Sequence, residues 1–561
     1  MTQLRSSSPT VNGSMNRLFR ALSALERAGN RLPHPFWLFW IFAALLGVVS
    51  AVLAGAGVSV TLPSTGDSVA VKSLLSLQGA KFAAESALDN FAGFAPLSVV
   101  VVVLLGVSVT EKSGLLTALL RVTIGRLPVR WLTFSIAFSS MIAHVMSDSA
   151  YIVMIPLGAL AFRTVGRSPV LGLMVAYAST AIGFNASPLV TPADAVRSSL
   201  AAEAAHTVDP HYVITPVATY FFTAVSSVFL AAVIALTVDR VLARRPEFVP
   251  TPEDDEAADR LFNTAHADAP RHTAHADAPR HTAHADAPRH TAHADAPRHS
   301  GPAGEVSPAF TLSAVEKRAM RLSGTVLVLY VTAVAALLLP GSPFRGEGGS
   351  IVQSVVVVNI AVFISLLFAL LGMVYGRQVG TIPSLSSVPS AMADGVKSFV
   401  PVIVLFFVVS QFLAYFTWTG ISNVITVEGA RLLKSLDAPH LVILLVIVLA
   451  ISGLNIIISS GSAMWSILAP VVVPLAMYIG LSPQAAMVSF MIGDSVTNTT
   501  PMNAYFVLAL GFLQQFRKGA GIGTMLSFTV PVALAVLVSW SSFFALWYAL
   551  GIPLGPGVPV R

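Results

Sequence analysis

The chain has 561 residues, 55% of them hydrophobic and 11% charged, with a formal net charge of +6 and no cysteine. A soluble globular protein, in which about a quarter of residues are charged, is excluded, and so are disulfides, cysteine-ligated metals and thiol chemistry. Apolar runs of spanning length recur from end to end, so the expected fold is an all-α polytopic membrane protein. The surplus of Lys and Arg is read as cytoplasmic loop charge, and no nucleic-acid partner is expected.

Residues 1–34 form a polar segment carrying Arg5, Arg17, Arg20, Arg27 and Arg31. The run from Pro35 to Gly57 is long enough to span and lacks a cleavage-type ending, so it is read as the first membrane helix, at about 35–58, and not as a signal peptide. A charged loop with Asp67, Lys72, Lys81, Glu85 and Asp89 leads to a second helix at about 94–120. Residues 127–163 hold two apolar segments split by His144-Val-Met-Ser-Asp-Ser149. Each is short for a hydrocarbon core that takes ~20 residues to cross, which predicts a re-entrant hairpin. The third helix, about 168–199, is interrupted by Gly183-Phe-Asn-Ala-Ser-Pro188 and Thr191-Pro-Ala-Asp194, and a fourth at about 214–242 closes a first membrane half of residues 35–242.

Residues 243–318 break the pattern. They hold four copies of Thr-Ala-His-Ala-Asp-Ala-Pro-Arg-His, starting at Thr264, Thr273, Thr282 and Thr291, and eight of the thirteen histidines. Proline in every copy and the lack of large apolar residues predict a disordered cytoplasmic loop, with a low-affinity metal buffer as the alternative. The second membrane half, 319–551, holds helices at about 322–340, 350–376 and 396–418, then an amphipathic stretch with Glu428, Arg431 and Lys434. A second hairpin at 440–479 breaks at Ser459-Ser-Gly-Ser462. A helix at about 484–515 is interrupted at Asn498-Thr-Thr-Pro501, a last one covers about 522–551, and residues 552–561 are a tail.

With the N-terminus in the cytoplasm, Arg121, Arg126, Arg130, Arg163, Arg167, Arg240, Arg244, Arg245, Lys317, Arg318, Arg321, Arg377, Arg517 and Lys518 all fall on the cytoplasmic side. The first hairpin then enters from the cytoplasm and the second from outside, each followed by a broken helix and a full helix. That order is an inverted repeat, the sign of a secondary transporter whose solute site lies between hairpin tips and broken helices.

Polar patches inside apolar runs mark the candidate site, because unsatisfied polar groups survive in hydrocarbon only where protein or a water-filled cavity surrounds them. Asp494 and Asn498 stand four apart on one helix face, with Pro501 just beyond. Asn455, Ser459, Ser460 and Ser462 offer uncharged oxygens at the second hairpin, as a sodium site needs. The first hairpin offers Ser147, Asp148 and Ser149, with Asn185 and Ser187 across from them. For single serines, small-residue helix packing is an equal reading. Trp465 is expected to stack on an aryl ring, the alternative being a packing tryptophan. For Asp194 a helix N-cap is as good a reading as a functional one. His144 is read as a satisfied buried histidine.

The chain resembles the AbgT family of transporters over most of its length outside the repeats. The motifs that carry the resemblance begin with Glu26-Arg-Ala-Gly-Asn-Arg-Leu-Pro-His-Pro35, Gly106-Val-Ser-Val-Thr-Glu-Lys-Ser-Gly114, Ser147-Asp-Ser-Ala-Tyr151 and Ile155-Pro-Leu157. In the second half they are Gln411-Phe-Leu-Ala-Tyr-Phe416, Ser462-Ala-Met-Trp465 and Gly493-Asp-Ser-Val-Thr-Asn498. The resemblance implies a homodimer in the bacterial inner membrane. Each protomer would have about nine membrane helices and two opposing hairpins, of ion-transporter-superfamily type, divided into scaffold and transport core. It implies movement of p-aminobenzoyl-glutamate, or export of sulfonamide antimetabolites, by symport or antiport with protons or sodium, and no cofactor beyond such an ion. It also makes Asp194, Asn455, Ser462, Trp465, Pro483 and Asp494 site residues. Two positions depart from the family pattern: Met491 stands where an arginine is usual, and Met464 where a lysine is usual. A dicarboxylate symporter of the same architecture is the competing reading. An intramembrane enzyme lacks both a His-Glu-x-x-His motif and a base near Ser462, and paired hairpins favour alternating access over a channel.

Overall fold

The computed structural model describes residues 35–560 apart from 62–67, 126–127, 246–247, 252, 255–256, 258–310, 352, 436, 457–459 and 502. The N-terminal segment, the histidine repeats and Ser459 therefore lie outside the described residues.

The chain is built almost wholly of helices. Among the described residues nine are long and apolar enough to cross a membrane. Their membership differs from the spans expected above. Val129–Met146 and Gly461–Tyr478, limbs of the two hairpins, are included, and both broken helices drop out because each of their halves is too short. Large apolar side chains such as Trp37, Leu45, Val52, Val328 and Leu329 point outward, while serines and threonines such as Ser139, Ser179, Thr180 and Ser226 are buried. That inside-out distribution is what a hydrocarbon solvent selects.

The first half opens with α1 (Pro35–Gly55) and a two-stranded antiparallel ribbon, Ser59–Thr61 against Ser68–Ala70. The stretch expected to be a charged loop folds into α2 (Leu77–Ala92), nucleated by Ser76, whose hydroxyl accepts the Gly79 N–H at 3.1 Å. The second expected span is in fact two helices, α3 (Ala95–Ser113) and α4 (Leu115–Gly125). Gly114 separates them at φ 82°, a left-handed turn that glycine adopts without strain. The hairpin comprises α5 (Leu132–Ala143), a tight turn at His144–Met146 and α6 (Ser149–Thr164). The broken helix is α7 (Pro169–Ile182) plus α8 (Pro192–Ala205), and α9 (Tyr220–Thr237) completes the half.

The second half contains α10 (Ala314–Ala336), α11 (Ile360–Val379), α12 (Ser387–Trp418) and the amphipathic α13 (Ile421–Ser435). The order of the first half then repeats: hairpin α14 (His440–Asn455) and α15 (Gly461–Tyr478), broken helix α16 (Pro483–Thr497) and α17 (Ala504–Phe516), full helix α18 (Ile522–Leu550).

Packing sorts these helices into two groups. In one, α3 lies against α11 and α12, α10 against α11, and α1 against α12. The backbones touch: a Cβ on Gly106 would meet the Ser365 carbonyl, and one on Gly372 would meet the Thr110 backbone at 2.6 Å. In the other group α6 packs on α7 and α14 on α16, so each hairpin rests on its own broken helix. In addition α15 packs on α8, which ties the second hairpin to the first broken helix and brings both breaks to one place.

Candidate functional site

A cavity of about 900 Å³ opens where the hairpin tips, the two breaks and the α3–α12 pair meet. Each break is held open by local capping. In the first, Thr191 caps α8: its hydroxyl accepts the Asp194 N–H at 3.3 Å, and its own N–H donates to Asp194 Oδ2 at 2.8 Å. Pro192 follows, where its missing N–H costs nothing. In the second, α16 ends at Asn498, and Asn503 caps α17 by accepting the Tyr505 N–H at 2.9 Å. At the second hairpin tip Ser460 caps α15. The N-terminal ends of α8 and α15 both border the cavity, adding positive helix-end potential to it.

Asp494 sits at the centre, 1% exposed. The Asn185 amide donates to its Oδ2 at 2.8 Å. The Asn455 amide donates to its Oδ1 at 3.2 Å and to its backbone carbonyl at 2.6 Å. Gly461 presses against the same carboxylate: a Cβ there would stand 2.7 and 2.9 Å from its two oxygens. One carboxyl group thus joins the first break, the second hairpin and the second broken helix. Asn455 Oδ1 is buried with no hydrogen-bond partner among the described residues. The amide turns its N–H side to Asp494, so this oxygen is a further acceptor left without a donor there.

The structure brings most of the expected residues together. Ser147, Asp148, Ser460, Ser462, Asp494 and Asn498 line the cavity, with Asn185 and Asn455 directly behind Asp494. Ser147 occupies the first tip at φ 48°, a conformation few non-glycine residues adopt and one that concentrates at functional sites. Ser149 donates to Glu111 on α3 at 2.6 Å. His144 lines the cavity too, edge-on to Phe184 with ring centroids 5.2 Å apart.

Four expected residues are placed differently. Trp465 is fully buried and does not reach the cavity; its indole N–H donates to the Arg197 carbonyl at 3.0 Å and its ring packs on Phe490 at 4.5 Å. The aromatic side chains that border the cavity are instead Phe184, Phe399, Phe490, Tyr151 and Tyr505, the last two stacked on each other 4.1 Å apart. Asp194 stands behind the lining as the capping-box carboxylate of α8. Pro483 is the first-turn proline of α16, roughly 16 Å along the helix from Asp494 at 1.5 Å per residue. Pro501 lies in the second break but outside the lining. Met464 and Met491 are wholly buried, and the Met491 carbonyl accepts from the Asn185 amide at 3.1 Å.

Sequence reasoning passed over Arg197. It lines the cavity at 5% exposure and donates to Asn185 Oδ1 and, at 2.5 Å, to Asp194 Oδ1. The signal was present: an arginine three residues after an aspartate, inside an expected membrane helix, is costly unless paired and used.

Comparison with known proteins agrees with this architecture. The model of the AbgT putative transporter family matches residues 20–274 and 297–561. The p-aminobenzoyl-glutamate transport protein of Escherichia coli (strain K12) is 30% identical over 540 residues, covering 96% of each chain. Among solved structures, Neisseria gonorrhoeae MtrF, described with a class of antimetabolite efflux pumps, superposes with a TM-score of 0.83 at 31% identity, covering 96% of this chain and all of that one. The Alcanivorax borkumensis YdaH transporter gives 0.77 at 33% identity, covering 93% and 100%. The family model covers most of the chain and the E. coli relative is 30% identical across nearly all of it, so the chain belongs to the AbgT family of transporters.

Proposed function

We propose that the chain is a secondary transporter of p-aminobenzoyl-glutamate and chemically similar aryl carboxylates in the bacterial inner membrane. Its N-terminus would be cytoplasmic, and it would be driven by a proton or sodium gradient. The observation that carries this reading is the cavity itself. It is bordered by the aromatic side chains of Phe184, Phe399 and Phe490 together with an arginine and a buried aspartate, and each hairpin contributes its tip. An aryl ring needs such neighbours, and a carboxylate needs donors. The E. coli relative's transport of p-aminobenzoyl-glutamate supports the substrate class, and MtrF supports antimetabolite efflux as a further use of the same site. The coupling ion would bind at Asp494, the carboxylate that the first break and the second hairpin share. A homodimer is part of the proposal, with exposed apolar faces such as that of α10 available to lipid or partner.

A dicarboxylate symporter would carry no use for the ring-lined wall, which favours the aryl reading. Flux of radiolabelled p-aminobenzoyl-glutamate in proteoliposomes, under imposed proton and sodium gradients separately, tests both points. Gradient-driven flux that unlabelled p-aminobenzoyl-glutamate competes and succinate does not is the expected result. Competition by succinate alone would overturn the aryl assignment.

A further inference from the structure

We propose that Arg197 is the residue that binds the substrate's carboxylate, with Asp194 as its positioning residue and Asn185 as the link from that event to Asp494. The inference deepens the proposed function and rests on it.

A guanidinium offers five N–H donors in a plane and accepts nothing. Arg197 spends one on Asn185 Oδ1 and one on Asp194 Oδ1. Its Nε is buried and has no hydrogen-bond partner among the described residues, although the side chain borders the cavity. A buried donor of this kind calls for an acceptor, and Arg197 is one of the residues that border the solute cavity. A carboxylate entering there can take Nε–H together with a neighbouring N–H in the two-point geometry that arginine favours.

The arginine is also held still. Both oxygens of Asp194 are engaged: Oδ1 by Arg197, and Oδ2 by the N–H and hydroxyl of Thr191, each at 2.8 Å. From the other side the Trp465 indole fixes the Arg197 backbone carbonyl. Asp194 therefore orients the guanidinium without filling the cavity. Among the described residues Arg197 is the only buried Lys or Arg. The second cation on the cavity wall, Lys112, is exposed and already paired with Asp394 at 3.5 Å.

Asn185 makes the arrangement more than an anchor. Its carbonyl oxygen accepts from Arg197, while its amide donates to Asp494 Oδ2 and to the Met491 carbonyl. A carboxylate bound at Arg197 competes for the guanidinium whose N–H the Asn185 oxygen accepts, and so bears on the amide that holds Asp494.

The test uses the full-length protein in proteoliposomes, with wild type, Arg197→Lys and Arg197→Gln. Inhibition of p-aminobenzoyl-glutamate flux is measured with unlabelled p-aminobenzoyl-glutamate and with its uncharged dimethyl ester. Wild type should prefer the charged compound. Arg197→Gln should raise KM at least tenfold with a smaller change in maximal rate, and bring the ratio of the two inhibition constants close to one. Arg197→Lys, which keeps the charge beside Asp194 and so guards against loss of folding, should fall between. If Arg197→Lys and every folded Arg197→Gln preparation keep the wild-type ratio, the proposal is wrong. Absence of any wild-type flux would instead remove the transport reading on which it rests.

Discussion

At the scale of single residues, the site depends on very close approach to one carboxylate. Gly461 has no room for a side chain, since a Cβ would sit 2.7 Å from Asp494 Oδ1. Gly461→Ala is therefore expected to displace either the second hairpin tip or Asp494 and to cut flux by at least an order of magnitude, while size-exclusion behaviour in detergent stays normal; wild-type flux would show that the tip does not need this contact. Ser147 makes the opposite case. Its φ of 48° is strained for serine and ordinary for glycine, so Ser147→Gly should raise the thermal midpoint, relieving about 1 kcal/mol. A lowered midpoint would mean that the serine hydroxyl contributes more than the strain costs. Asp494, Asn185 and Asn455 were legible in the sequence because each interrupts a long apolar run. Arg197 carried a signal in its spacing from Asp194, but Asp194, Ser198 and Ser199 around it make that stretch resemble the polar end of a helix. Trp465 was misplaced because a tryptophan beside a hairpin tip suits packing and stacking equally well, and only its burial distinguishes them.

At the scale of elements, the hairpins and broken helices were readable because helix breaks need particular residues. Ser168 and Pro169, Thr191 and Pro192, Ser482 and Pro483 each pair a capping side chain with a first-turn proline. The break at Gly114 was missed because one glycine in an apolar run is usually tolerated within a helix. The helix at Leu77–Ala92 was missed because its charges, Lys81, Glu85 and Asp89, resemble loop composition, although Lys81 and Glu85 are spaced to pair along a helix at 3.6 Å. Close backbone contact is what seats each hairpin on its broken helix. Gly158 on α6 and Gly172 on α7 face each other: a Cβ on Gly172 would lie 2.2 Å from the Gly158 carbonyl, and one on Gly158 would lie 2.5 Å from the Gly172 carbonyl. Gly172→Ala should destabilise the protein by ~1–3 kcal/mol through overpacking, read as a lower thermal midpoint and a loss of monodisperse protein. An unchanged midpoint would mean that the two helices separate freely there.

At the scale of the whole molecule, the cavity lies on the seam between the two helix groups. Glu111, Asp394 and Phe399 border it from the α3–α12 side, and Ser149, Arg197 and Asp494 from the hairpins and broken helices. If the second group slides against the first during transport, polar contacts across the seam must break in every cycle. The hydrogen bond from Ser149 to Glu111 is such a contact, joining the first hairpin tip to α3 at 2.6 Å. The native chain contains no cysteine, so Glu111→Cys with Ser149→Cys gives one defined pair and no background. Bridging that pair with a short, reducible bifunctional thiol reagent should bring flux down to the level of empty liposomes, and reduction should restore it, provided the double variant retains measurable flux before bridging. Each single-cysteine variant, treated alike, should keep its flux. Quantitative bridging with undiminished flux would mean that the first hairpin tip and α3 travel together. The moving boundary would then lie elsewhere, as between α3 and α8, which also pack on each other across the two groups.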